Sequence, residues 1–296
     1  MRSTWPGRTA VTLVAAATTI LVIGWARTPN PLASMPEGEF WERKFTAPQS
    51  DIVFAGDSRV GIGISPAAVE ATAGLSCLNY AFTSVGYSGE YVAAIRDHVR
   101  PSGVIVLGIS PWTLTPRSLL DNGFKGLSAL PRRSPRLARA ALDWRLRFQS
   151  TMKALNTAVM DEAHFGTTLH LDGWMEVHAE SSDPKKALSL YAQNFDDNPV
   201  SDELVSRVMG SVRDWSRQDI LVLGFRPPAT LDMVSLENRK GAFDEAAFVR
   251  RFKDAGGVWL DIPLEYDTYD GSHLLAASAQ RLSHEIGRAI RGRQRR

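Results

Sequence analysis

Asp51-Ile52-Val53-Phe54-Ala55-Gly56-Asp57-Ser58-Arg59 is the stretch on which the fold of this chain turns. Its first five residues form a continuous, mostly apolar run that ends at a glycine. Such a run predicts a strand buried on both faces, as happens when helices cover both sides of a parallel sheet. Residues 77–81, 104–108, 220–224 and 258–262 repeat this character. Helical stretches fit between them. One covers 66–73, with Ser65 as N-cap and Pro66 at the first position. Others cover 89–99, 201–215, opened by Ser201, Asp202 and Glu203, 243–255, ended by Gly256-Gly257, and 274–291. The rhythm predicts an α/β fold: three layers, doubly wound, with a mainly parallel five-stranded sheet. Residues from about 115 to 199 break the rhythm and read as an insertion, which either lids a site or packs on the sheet edge.

Hydrophobic residues make up 44% of the 296 and charged residues 22%, which excludes a largely disordered chain. Net charge is +2, and the arginine clusters (Arg132, Arg133, Arg136 and Arg139; Arg288 to Arg296) come with no nucleic-acid motif. No nucleic-acid partner is expected; an anionic lipid or polymer suits such patches better. The single cysteine, Cys77, has no partner for a disulfide or a metal site and reads as a small core residue.

Thr9 to Ala26 is almost entirely apolar, with Arg2 and Arg8 before it and Arg27 after it. Its length is at the lower edge of the roughly 17–25 residues that span a membrane. Leu32-Ala33-Ser34 is only a weak cleavage site. The favoured reading is an uncleaved signal anchor, a transmembrane helix within 1–27. A Pro-rich linker over 28–50 and one domain over 51–296 follow. Cleavage as a signal peptide is the alternative. Both export the domain, and the leading positive charge puts the N-terminus in the cytoplasm and the domain on the outer, periplasmic or extracellular, side.

Gly56-Asp57-Ser58 stands at the C-terminal end of the first strand, where open α/β sheets place their ligands. A serine on that turn is exposed ahead of a helix whose first N–H groups face an anion. Tyr269-Asp270-Gly271-Ser272-His273 follows the last strand. A hydroxyl nucleophile needs a base in reach, and the base needs an orienting carboxylate. Asp270 and His273 are spaced so that the carboxylate reaches Nδ1–H of the imidazole while Nε2 faces the serine. Each motif alone has a plain reading, a turn or a helix cap. Together, at the right ends of the right strands, they predict catalysis.

These two blocks resemble the SGNH (GDSL) hydrolase family over about 51–291, the insertion excluded. The resemblance implies an SGNH-type, flavodoxin-like fold, Ser58 as nucleophile, His273 as general base and Asp270 as its partner, with Asp267 as a fallback carboxylate. The middle blocks depart from the family. Its oxyanion-hole glycine follows an Asn; here Asn79 is followed by Ser84 at the glycine position and Gly86 two residues later. Its Gly-x-Asn-Asp block is Gly108-Ile109-Ser110-Pro111 here, with Ser110 in place of the Asn donor. The expected oxyanion hole is therefore the backbone N–H of Ser58 and of Ser84 or Gly86, with Ser110 as a further donor; Ser110 otherwise makes a turn before Pro111. Arg59 is a candidate contact for an anionic substrate group, or a partner of Asp57 or a surface carboxylate.

The same blocks are similar to a membrane-anchored subgroup that resembles esterase-like components of teichoic-acid D-alanylation and exopolysaccharide acetylation. That likeness implies an acylated cell-envelope polymer as substrate and other components of a polymer-modification complex as partners. The expected function is a serine esterase or O-acyltransferase without cofactor or metal. Its rival is a non-catalytic binding or assembly component on the same fold. His164, His170, Asp172 and His178 match no familiar metal spacing. Trp112, Trp174 and Trp215 read as packing residues before sugar platforms.

Overall fold

Strands that are apolar on both faces must have helices on both sides. The computed structural model describes residues 18–19, 37–120, 122–128, 166–178 and 184–294. Among them are seven strands: β1 (Ser50–Ala55), β2 (Cys77–Asn79), β3 (Val99–Gly108), β4 (Thr167–Leu169), β5 (Met175–Val177), β6 (Leu221–Phe225) and β7 (Val258–Trp259). Five of these form a parallel sheet in the order β2-β1-β3-β6-β7, while β4 and β5 make an antiparallel hairpin. The helices are α1 (Glu37–Thr46), α2 (Ser58–Gly63), α3 (Pro66–Ala73), α4 (Gly89–His98), α5 (Gly123–Ser128), α6 (Pro184–Asn194), α7 (Asp202–Ser216), α8 (Leu231–Lys240), α9 (Glu245–Asp254) and α10 (Ala276–Gln294).

Alternate strand residues serve two cores. Val53, Ala55, Ile105, Leu107 and Val222 pack with Tyr91 and Ile95 of α4, Val208 and Val212 of α7, and Phe248 and Phe252 of α9. Ile52, Phe54, Val104, Val106 and Leu223 pack with Val60 of α2, Val69 of α3, and Leu282, Ile286 and Ile290 of α10. Each such aliphatic side chain, fully buried, contributes about 1.5–3 kcal/mol. Local signals set the helix ends. Ser65 caps α3 by accepting from Ala68 N–H, and Gly74 closes it at φ 74°.

The five expected strands all occur, with β3 starting at Val99 rather than at 104. The apolar segment 9–26 lies outside the described residues apart from Thr18 and Thr19, and among the described residues no helix is long and apolar enough to cross a membrane. The segment expected as a linker contains α1, whose Trp41 and Phe45 pack against Phe82 and whose Phe40 packs with Leu171 and Met175. Lys44 hides this amphipathic face in the sequence. It is 1% exposed, donates to Ala81 O at 2.6 Å and lies over the rings of Phe40, Trp41 and Phe82. The β4–β5 hairpin, unforeseen inside the insertion, covers the edge strand β2: Asn79 N–H donates to Asp172 O, and the Trp174 indole donates to Ile62 O.

Gly56 sits at φ 153°, and a β-carbon there would lie 2.5 Å from Val60 Cγ2 and 2.9 Å from Gly108 O. Gly56→Ala is expected to cost roughly 2–4 kcal/mol, read as a lowered urea midpoint. Burial lowers the Lys44 ammonium to about 7 from its ordinary 10.5, with Asp172 pulling the other way. Between those values the unfolded chain binds a proton that the folded chain lacks, so stability rises with pH across that window. Urea titrations from pH 7 to pH 9.5 should show this slope in the wild type and a flatter one in Lys44→Met.

Candidate active site

β1 delivers its last residue to a turn that only a bare backbone permits. A β-carbon on Gly108, at the end of the neighbouring β3, would lie 2.1 Å from Val60 Cγ2, so Gly56 and Gly108 together admit α2 close against the sheet edge. Gly56 N–H donates to the Tyr91 hydroxyl, and Gly56 O accepts from Phe82 N–H, which ties the turn to α4 and to the loop after β2. Asp57 is the N-cap of α2: one carboxylate oxygen accepts from Arg59 N–H at 3.0 Å. Ser58 is the first residue of that helix. The turn lies where β1 has β2 on one side and β3 on the other, the point at which the connections diverge and open α/β sheets leave a crevice.

The second motif lies on the loop between β7 and α10. Gly271, at φ 85°, lets the loop fold back on itself, and its carbonyl accepts from Thr230 N–H. One oxygen of Asp270 accepts from the backbone N–H groups of Ser272 and His273, each at 2.8 Å. The other lies 2.8 Å from His273 Nδ1. His273 Nε2 is 2.9 Å from Ser58 Oγ. Burial raises the Asp270 carboxyl, but the hydrogen bonds from the His273 ring and the two backbone N–H groups, together with the His273 charge, outweigh it and hold the group below its ordinary value. An ionised carboxylate only accepts, which assigns the proton to Nδ1 and leaves Nε2 to accept from the serine hydroxyl. Tyr269 stacks on the imidazole at 5.6 Å.

The structure thus brings Ser58, His273 and Asp270 into one hydrogen-bonded chain. Asp267 has no hydrogen bond to His273; its backbone N–H donates to Ser278 and its carbonyl accepts from Leu275 N–H. Two of the expected oxyanion donors are engaged elsewhere. Gly86 N–H donates to Ser118 O at 3.0 Å. The Ser110 hydroxyl, fully buried, gives its single proton to Asp57 at 2.6 Å. Ser110 therefore braces the helix cap rather than facing a reacting carbonyl. The backbone N–H groups of Ser58 and Ser84 have no hydrogen-bond acceptor among the described residues. Ser84 lies at φ 53° in the turn after β2, whose C-terminal end shares the sheet edge with that of β1.

Arg59 is not placed to contact a substrate. It is 2% exposed, so it cannot meet a substrate from solvent. Its Nη atoms lie 2.5 and 3.3 Å from the Glu237 carboxylate, and its Nε–H donates to Ser272 Oγ at 2.9 Å. Glu237 also accepts from Arg226, and Tyr191 of α6 shares a 2.8 Å hydrogen bond with Ser272. Glu237, Arg226 and Tyr191 carry no sequence signal: each belongs to a different element, and only folding joins them. His170 pairs with Glu176 at 2.7 Å and stacks on Trp174, while His164 lies outside the described residues. Among the described residues no cluster of three or more His, Cys, Asp or Glu side chains is set to hold a metal ion.

Comparison with protein-family models, curated proteins and solved structures yields no match to this chain.

Removing the Ser110 hydroxyl tests its assignment. Ser110→Ala is expected to lower stability by about 1–3 kcal/mol, because a buried Asp57 oxygen loses its donor. Its effect on the rate of serine acylation should stay well below the roughly 10²–10³-fold loss that follows removal of an oxyanion donor.

Proposed function

We propose that this chain is a serine esterase or O-acyltransferase of the SGNH type, built on a three-layer, doubly wound α/β domain. The observation that carries the reading is the unbroken chain from Ser58 Oγ through His273 to Asp270, at 2.9 and 2.8 Å. A half-buried orienting carboxylate, a base with one nitrogen facing the nucleophile and a hydroxyl at a helix start are what activation of a weak nucleophile requires.

In the proposed reaction, Ser58 Oγ attacks an ester carbonyl while His273 Nε2 takes the hydroxyl proton. Asp270 stabilises the imidazolium that forms. The N–H groups of Ser58 and Ser84 hold the oxyanion. The tetrahedral species collapses, the C–O bond to the leaving alcohol breaks, and His273 returns the proton to that alcohol. Water or a sugar hydroxyl, deprotonated by His273, then attacks the acyl carbonyl; the bond to Ser58 Oγ breaks and His273 returns the proton to Oγ, restoring the hydroxyl. The proposed substrate is an acyl ester, acetyl being the simplest, of a cell-envelope or extracellular polymer. The proposed setting is the outer face of a membrane, with the domain anchored by the segment within 1–27 and working beside other polymer-modifying components.

A second reading, a non-catalytic binding component, is favoured by one feature: Gly86 and Ser110 both spend their protons inside the protein. Active-site labelling separates the two. A fluorophosphonate probe added to the full-length protein in detergent is expected to label the wild type and not Ser58→Ala. In Asp270→Asn the labelling rate should fall by about 10⁴-fold. A folded wild type that takes no label would favour the binding reading.

A further inference from the structure

We infer that Arg59 is a positioning residue that clamps His273 in place when Ser58 itself cannot, during breakdown of the acyl-enzyme. The inference rests on the serine-hydrolase reading and goes beyond it.

The geometry is a two-rung ladder between segments more than 200 residues apart. Ser58 faces His273, with Oγ 2.9 Å from Nε2. The next residue, Arg59, faces the preceding one, Ser272, with Nε 2.9 Å from Oγ. The first rung exists only while Ser58 bears a proton or an anionic oxygen. Once Oγ is acylated it has no proton to give, and the rung is lost. Yet His273 must then hold its position to take a proton from the incoming water or hydroxyl. The second rung does not depend on the state of Ser58.

The second rung is built to be stiff. Arg59 presents Nε to Ser272 and both Nη atoms to Glu237, which fixes the plane of the guanidinium. A lysine ammonium is a single point and cannot span both partners. Tyr191 closes the circuit: its ring lies 5.0 Å from the Arg59 guanidinium carbon and its hydroxyl is 2.8 Å from Ser272 Oγ. Glu237, with no exposed surface, is held from the far side by Arg226, which also reaches Asn238 and Glu245. Burying such charges is costly, and an apolar side chain of equal volume would often fill the space with no loss of stability. The expense makes sense where the direction of a neighbouring group matters.

p-Nitrophenyl acetate, turned over by the full-length protein, separates the two half-reactions: the burst reads acylation and the steady state reads deacylation. Arg59→Lys is expected to lower the steady-state rate by about 10–10²-fold, with the burst rate changed much less. Should Arg59→Lys fail to fold, Ser272→Ala carries the same test, since it leaves the Arg59–Glu237 pair intact. Wild-type turnover in both variants, or an equal fall in burst and steady-state rates, would overturn the inference. A wild type that releases no p-nitrophenol would sink the hydrolase reading and the inference with it. The clamp is read a second way in the fluorophosphonate-labelled protein, where Ser58 Oγ is blocked: loss of the low-field His273 Nδ1–H resonance in folded, labelled Ser272→Ala supports positioning, and its persistence refutes it.

Discussion

Val60 occupies the space that β-carbons on Gly56 and Gly108 would need, at 2.5 and 2.1 Å from Cγ2. Much of the site depends on this contact. It lets α2 begin immediately at the ends of β1 and β3, so the first residue of the helix stands at the sheet edge. Were either glycine replaced, the helix would retreat, and Ser58 would draw away from His273, its hydrogen-bond partner 215 positions later. The close approach is then held by polar bonds. Asp57 accepts from Arg59 N–H and from Ser110, and Asn79 donates to the carbonyls of Val60 and Ile64 at 2.9 Å each, so three strand ends grip one short helix.

Electrostatics divides the site into a reacting chain and a supporting one. Asp270 lies where several hydrogen bonds favour its charge despite burial, which suits the role proposed for it beside His273. Beneath it, Arg59, Glu237 and Arg226 form a buried alternation of charge that no solvent screens. The two chains meet at Ser272 and His273, neighbours in sequence. The serine that leads into the imidazole is held by the supporting network, and the imidazole itself belongs to the reacting one. Lys44 plays a comparable part at the far side of the loop after β2. There the buried Lys44 amino group donates to the Ala81 carbonyl and packs α1 against the aromatic cluster around Phe82.

The sequence departs from the SGNH pattern at its third block, and the structure gives the departure a physical sense. A serine hydroxyl is too short to reach past the helix cap and has a single proton. With Asp57 at 2.6 Å, that proton is committed. The side chain is an inward brace for the helix cap, and the proposed oxyanion hole therefore rests on backbone groups alone.

The amino-acid sequence by itself determined what depends on residues close together in the chain. The apolar runs set the five strands, Ser65 with Pro66 and Gly74 bounded α3, and the three-residue step from Asp270 to His273 defined a carboxylate–imidazole pair. α1 has no clear apolar stripe because a lysine stands on its buried face, and the hairpin leaves no alternating pattern because its strands are only three residues each. Tertiary structure alone decided which partner each polar group took. Ser110, Gly86 and Arg59 each had more than one chemically suitable acceptor, and a proton goes to whichever acceptor packing brings within about 3 Å. That choice is made by segments far apart in sequence: Arg59 meets Glu237 across 178 positions and Ser58 meets His273 across 215. No local pattern encodes such distances, because they arise only when both faces of the sheet are covered and the helices are driven to their places.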